Sequence, residues 1–228
     1  MKGYGQFCPI AKASEVLGER WTHLVIRELI VGSTTFNDLR KGVPLMSPSL
    51  LSARLKSLEQ AGVVDRIEDG KHVTYTLTEA GQELKPIIMQ LGVWGHRWVR
   101  SQLTREDLDP SLLIWDIHRN IDTVSFPPDR AVLLFEFGDY DKKFRYFWLI
   151  VTNDEVDVCI KDPGHEVDLH IVTDTKTLTG VWMGDLSLRH ALRTKLISLY
   201  GSSSLKRNIS NWLGRNYYAD VKPAKKTA

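Results

Sequence analysis

Residues 46–62 read MSPSLLSARLKSLEQAG. Ser47 followed by Pro48 is a helix start: a serine cap with proline at the first position, where the missing N–H costs nothing. Leu51, Leu55 and Leu58 then fall on one stripe, and Gly62 is placed to end the helix. Opposite the leucines stand Ser49, Ala53, Lys56 and Gln60, flanked by Ser52 and Ser57. No acidic residue occurs from 47 to 58, whereas a merely solvated face more often carries Glu/Lys pairs at i,i+4. A face this slim and polar lets a backbone approach base edges in a DNA major groove about 12 Å wide. Taken alone, the helix fits that use and a plain solvated surface equally well.

The flanking sequence sets the context. PIAKASEVLG fits a short helix closed by Gly18, and WTHLVIRELIVG a second, with Leu24, Ile26, Leu29 and Ile30 as its apolar set and Gly32 as its stop. TTFNDLRKGVP holds a third, broken before Pro44. After Gly62 the period shortens to that of strands, with β-rich runs at 63–68 and 72–78 and a hairpin signal at Asp69-Gly70. A longer helix starts after Thr78 and runs to about Leu103, with Pro86 in its first turns. Short helices, a capped helix and a hairpin, in that order, make a winged helix-turn-helix.

The chain has 228 residues, 43% hydrophobic and 25% charged, with a net charge of +2, which is ordinary for one large domain or two smaller ones. That small net charge hides a segregation: residues 1–103 carry +3, residues 104–185 carry −9 and residues 186–228 carry +8. The acidic middle would repel phosphates, so a DNA contact belongs to the basic N-terminal segment or, second, to the basic end. No apolar run reaches the roughly 20 residues of a membrane span, and the first residues lack the pattern of a signal peptide. Two distant cysteines, Cys8 and Cys159, are no disulfide framework and fit a reducing cytoplasm.

Several motifs across residues 7–100 resemble the HxlR-type winged helix-turn-helix regulators. They are Cys8-Pro9; Gly18, Trp21, Arg27 and Leu29, with Ile26 displaced by one position; Phe36 and Leu39; Ser47 and Leu51; Leu55, Leu58 and Gly62; and Tyr75, Leu77, Thr78 and Gly81. The resemblance implies a homodimeric DNA-binding regulator reading a palindromic operator with helix 47–61 and wing 63–78. It assigns Ser49, Ser52, Ala53 and Lys56 to base edges or nearby phosphates, and Ser47 to a phosphate at the helix N-terminus. Arg54, on the flank of the leucine stripe, serves either a phosphate or an internal pair. At the wing, Lys71 and His72 are the tip contacts with Arg66 behind, although Asp65, Glu68 and Asp69 make this hairpin less basic than such a role favours. Trp94 and Trp98, four apart on the last helix, are the expected dimerisation residues, with packing inside one chain as the alternative. Cys8 is either a redox or electrophile sensor, as in some relatives, or a small buried residue.

After a polar linker at 104–111, the runs AVLLFEFG, FRYFWLIVT, EVDVCIK and EVDLHIVTD read as four strands, followed by helical segments to residue 216 and a basic tail at 217–228. This is an α+β domain with an antiparallel-rich sheet. From Val167 to Gly214 the order of a strand, a short helix over 175–183, Gly184-Asp185, an amphipathic segment over 186–192, a turn at 197–201 and a closing helix to Trp212 resembles the SCP2-like sterol-carrier domains. That implies an apolar cavity for a hydrophobic small molecule or lipid, with Phe135, Phe137, Phe147, Trp148, Trp182 and Met183 as candidate lining and plain core packing as the alternative for each. His165 and His170 lack metal-ligand spacing, and Asp116 and His118 come with no activated serine. No metal, cofactor or catalytic set is expected. The function expected is that of a cytoplasmic regulator whose second domain senses a hydrophobic small molecule or stabilises the dimer. The alternative is a lipid carrier whose winged helix serves protein interaction.

Overall fold

The computed structural model describes residues 3–100, 104–127, 129–141, 143–153 and 155–224. They form two compact units whose boundary falls between Trp94 and Gly95.

The first unit runs α1 (Pro9–Leu17), α2 (Thr22–Ile30), α3 (Phe36–Gly42), α4 (Pro48–Gln60), β1 (Val64–Asp69) and β2 (His72–Leu77), then most of α5 (Glu79–Trp98). The start of α4 follows from its sequence. Ser47 has extended backbone and its hydroxyl accepts from Leu50 N–H at 3.3 Å. At the other end Gly62 takes φ 70, Gly62 N–H donates to Glu59 C=O and Val63 N–H to Leu58 C=O. This pair of bonds is the Schellman arrangement, which satisfies the last carbonyls and turns the chain into β1. The strands pair antiparallel from Val64↔Leu77 to Asp69↔His72, leaving Gly70-Lys71 as a two-residue turn. Thr35 bridges Thr74, so the segment before α3 is pinned to the hairpin.

The core of this unit gathers Val25, Ile26 and Leu29 of α2, Leu39, Val43 and Met46, Leu51, Leu55 and Leu58 of α4, and Val63, Val64 and Ile88. Two expectations are corrected here. Leu24 is exposed and Val25 is fully buried, because the inward face of α2 is set by its neighbours rather than by hydropathy alone. Pro86 lies inside α5, beyond its first turn; the helix passes through the site where the proline withholds one N–H. The same helix ends at Trp98, and the expected continuation over 101–103 lies outside the described residues.

The second unit is a two-layer α+β domain. Its sheet has the order β5-β4-β3-β6-β7, built from β3 (Ala131–Phe137), β4 (Tyr146–Val151), β5 (Val156–Cys159), β6 (Leu169–Thr173) and β7 (Ser198–Gly201). All neighbours are antiparallel except β3 and β6. The inward residues Ala131, Leu133, Phe135 and Phe137 of β3, with Phe147, Leu149, Leu169 and Ile171, pack against α6 (Pro110–His118), α7 (Thr175–Trp182), α8 (Leu188–Arg193), α9 (Ser203–Arg207) and α10 (Ile209–Trp212). The alternate residues Leu134, Glu136, Tyr146, Trp148, Ile150, His170 and Val172 face the other way and are half-buried.

Two elements here differ from the sequence reading. The segment 197–201 reads as a turn, yet 198–201 form edge strand β7 on β6; a four-residue strand is too short to show alternation. The expected linker ends in a helix start: the Asp109 carboxylate accepts from Ser111 N–H and Leu112 N–H, and Pro110 begins α6, the same cap-and-proline device as at Ser47-Pro48.

Candidate nucleic-acid interface

α4 buries Leu51, Leu55 and Leu58 and leaves Ser47, Ser49, Ser52, Lys56, Ser57 and Gln60 exposed, with Ala53 among them. The hydroxyls of Ser47 and Ser49 lie 3.2 Å apart at the start of the helix, and the Ser57 hydroxyl donates to Ala53 C=O. The outer face is therefore low, polar and unobstructed, with Lys56 as its cation. Arg54 differs from its neighbours. Its side chain is 11% exposed and pairs with Glu19, between α1 and α2, and burial lowers its pKa. The internal pair, rather than an open phosphate contact, is the arrangement this arginine adopts.

At the hairpin, Lys71 and His72 are exposed at the tip. Arg66 is exposed and pairs with Glu68; its pKa is raised, first by Glu68 and then by Tyr75. Any phosphate contact by Arg66 therefore competes with its own strand's carboxylate.

A polar cluster that the sequence reading missed joins α2 to α3. Glu28 is buried and accepts from Arg27 at 2.8 Å and from the Ser33 hydroxyl at 3.1 Å. Arg27 also donates to Gly42 C=O at 2.8 Å. A Cβ on Gly42 would stand 1.9 Å from the Glu28 carboxylate, so the approach of α3 to α2 depends on the missing side chain. The sequence signal, a charged pair inside an apolar helix, is weak. A buried carboxylate with several hydrogen bonds nonetheless fixes geometry that apolar packing leaves loose.

Exposed apolar residues gather on two helices of the first unit: Phe7 and Ile10 at the start of α1, and Ile87, Leu91 and Trp94 at helical spacing on α5. Trp94 and Trp98 are each 57% exposed. Cys8 caps α1 with a partly accessible side chain.

In the second unit Phe135, Phe137, Phe147 and Trp182 are buried core residues, Trp148 sits on the outward sheet face and Met183 packs against the core edge. None of these six lines the large cavity of this unit. That cavity, of about 1160 Å³, is bordered instead by the last turn of α5, by α7 and by the segments around residues 104–108 and 223–224. The lining assigned from sequence is corrected accordingly: bulky aromatics on the inward strand face fill the space between sheet and helices. Asp116 receives Trp182 Nε1–H at 2.7 Å and Asn216 Nδ2–H at 3.0 Å, and His118 stacks on Trp115; both are structural. His170 meets Glu136 at 2.9 Å and His165 lies near Arg130. Among the described residues no group of His, Cys, Asp and Glu is arranged to hold a metal ion, and no helix is long and apolar enough to cross a membrane.

Helices α2 to α4 over a shared core, an open capped helix and a hairpin behind it define a winged helix-turn-helix unit of the DNA-binding kind. Residues 16–103 match the model of the HxlR-like helix-turn-helix family. The uncharacterized HTH-type transcriptional regulator YvaP of Bacillus subtilis is 35% identical over 112 residues, covering 47% of this chain and 95% of YvaP. The HTH-type transcriptional regulator YodB of the same organism is 35% identical over 95 residues, covering 40% of this chain and 85% of YodB. The chain belongs to the HxlR-like family. Among solved structures, the reduced form of YodB covers 40% of this chain and 92% of its own at 33% identity with a TM-score of 0.35. The oxidized form of the redox regulator HypR covers 39% and 94% at 33% identity with a TM-score of 0.37.

Proposed function

We propose that the protein is a transcriptional regulator that binds a palindromic operator as a homodimer, with its second unit acting as an effector domain. The observation that carries the DNA-binding part is the outer face of α4: exposed, free of acids over 47–58, and held outward by a fully buried leucine stripe. In this reading Ser49, Ser52, Ala53 and Lys56 meet base edges or adjacent phosphates. Ser47 and the first N–H groups of α4 meet a phosphate, and Lys71 and His72, with Arg66 once released from Glu68, meet the backbone beside them. Arg54 positions α4 through Glu19.

One such unit makes few phosphate contacts, and two related by a twofold axis read half-sites about one helical turn apart. The exposed stripe Ile87, Leu91 and Trp94, with Phe7 and Ile10, supports the dimer, because an apolar surface of this kind favours a partner. The second unit is read as SCP2-like. Its support is the α+β layering, the helix Thr175–Trp182 after β6 and the closing helices to Trp212. Cys8 at the cap of α1 is retained as a candidate sensor thiol, and alkylation at neutral pH no faster than that of free cysteine removes it from that role.

The decisive experiment is a gel shift of the full chain on the DNA upstream of its own gene, at fixed salt. Saturable, sequence-specific retardation is expected, with Ser52→Ala combined with Lys56→Ala weakening it. Unchanged affinity in that double variant overturns the assignment of α4.

A further inference from the structure

The cavity of about 1160 Å³ in the second unit exceeds the roughly 300–1,000 Å³ of sites for drug-sized molecules. Its wall is of two kinds. Trp98, Leu108, Leu186 and Pro223 supply apolar surface, and Arg97, Arg100, Arg105 and Lys176 supply cations. Asp139, Asp174 and Asp185 also border it, but each is already engaged within the protein. Asp139 accepts from the Thr175 N–H and hydroxyl at 3.0 and 3.1 Å. Asp174 caps α7, accepting from the Thr177 N–H at 2.8 Å and its hydroxyl at 2.6 Å. Asp185 pairs with Arg100.

The cations are less committed. Arg97, Arg105 and Lys176 form no ion pair among the described residues. Arg100 has a side chain only 10% exposed, and its buried Nε has no hydrogen-bond partner. Its other nitrogens are spoken for by Asp185, Met183 C=O at 3.3 Å and His96 Nε2 at 3.1 Å. Burial first, and the charge of Arg100 second, lower the pKa of His96. Uncommitted guanidinium and ammonium groups above an apolar wall match a molecule with one anionic head and a hydrocarbon body.

We propose that this cavity is the effector site and that its ligand is an amphipathic carboxylate, its head held by Arg97, Arg105 and Lys176 and its body lying against Trp98, Leu108 and Leu186. The assignment rests on the reading of the second unit as an effector domain. It moves the site away from the aromatic residues of the sheet and gives the ligand a charge. Trp98 and Arg97 belong to the last turn of α5, the helix whose earlier turns carry Ile87, Leu91 and Trp94. Occupancy therefore acts on a helix that the dimer also uses.

The test is titration calorimetry of the full chain with decanoate, and with decanol as the uncharged match. One saturable decanoate site per chain is expected, with decanol at least tenfold weaker. Arg97→Gln with Lys176→Gln should weaken decanoate at least tenfold while leaving decanol and the melting temperature unchanged, and Tyr200→Ser on the exposed edge strand should change nothing. No saturable decanoate binding, equal binding of decanol, or indifference to the double variant each overturns the proposal. Gel shifts on the same preparations without ligand report DNA binding separately: retained DNA binding without decanoate binding sinks this site alone.

Discussion

Lys56 and Arg54 sit two residues apart on the same helix and do different work. Lys56 is exposed on the outer face, whereas Arg54 is nearly buried against Glu19. Lys56→Ala should therefore lower operator affinity and reduce the magnitude of the salt slope by about 1, without change in melting temperature. Arg54→Ala should instead cost about 1–2 kcal/mol of stability, between the values of exposed and buried ion pairs, since its largely buried pair with Glu19 is broken; urea denaturation distinguishes the two. In the second unit Glu136 holds both Arg145 and His170, and these contacts, Arg145 first, keep its pKa below the ordinary 4.5. A carboxylate with a depressed folded pKa adds stability that is complete above its unfolded value and is lost as pH falls through the folded one. Glu136→Gln should flatten the decline in melting temperature below about pH 4.5, and an identical acid limb in the variant would show that the cluster adds nothing.

Among the elements, α4 is legible in the sequence almost to the residue. Its Ser47-Pro48 start and Gly62 stop are local devices that need nothing from the rest of the chain. Gly62→Ala should cost about 1–2 kcal/mol, because φ 70 places a Cβ against the following carbonyl, read as a lower denaturation midpoint with unchanged slope. The hairpin and four of the five strands of the sheet are legible for the same reason, through turn residues and alternation. α6 escapes because its Asp109-Pro110 cap sits in a polar run that resembles a linker. β7 escapes because a four-residue edge strand is defined by its partner β6 rather than by its own pattern. Pro86 inside α5 shows the limit of a propensity rule: about one lost hydrogen bond is offset when the helix is held by packing, as Ile88 is here.

For the whole molecule the proposed homodimer gives the clearest prediction. Leu91→Glu with Trp94→Glu should convert a dimer to a monomer by light scattering, with loss of operator binding and little loss of helicity. A variant that stays dimeric places the interface elsewhere. Charge segregation is a property of the bare chain at this scale, and it disfavours the acidic stretch 104–185 as a nucleic-acid surface, leaving the basic N-terminal segment or, second, the basic end. The binding role proposed for the second domain has no such signature. The sequence shows aromatic residues in abundance but not which of them fill space and which border it.

The sequence by itself determined the winged helix, its capped fourth helix, the acid-free outer face and the α+β class of the second unit, because periodicity, caps and turn residues act over a few positions. Tertiary structure alone decided three matters. Arg54 turns inward to Glu19, since that partner lies between two earlier helices. The inward aromatics of β3 and β4 close on the helices as a filled core, since packing there is a property of facing layers. The cavity is walled by residues as distant in sequence as Arg97 and Ala224; no local pattern can announce a space whose sides meet only when the chain has folded.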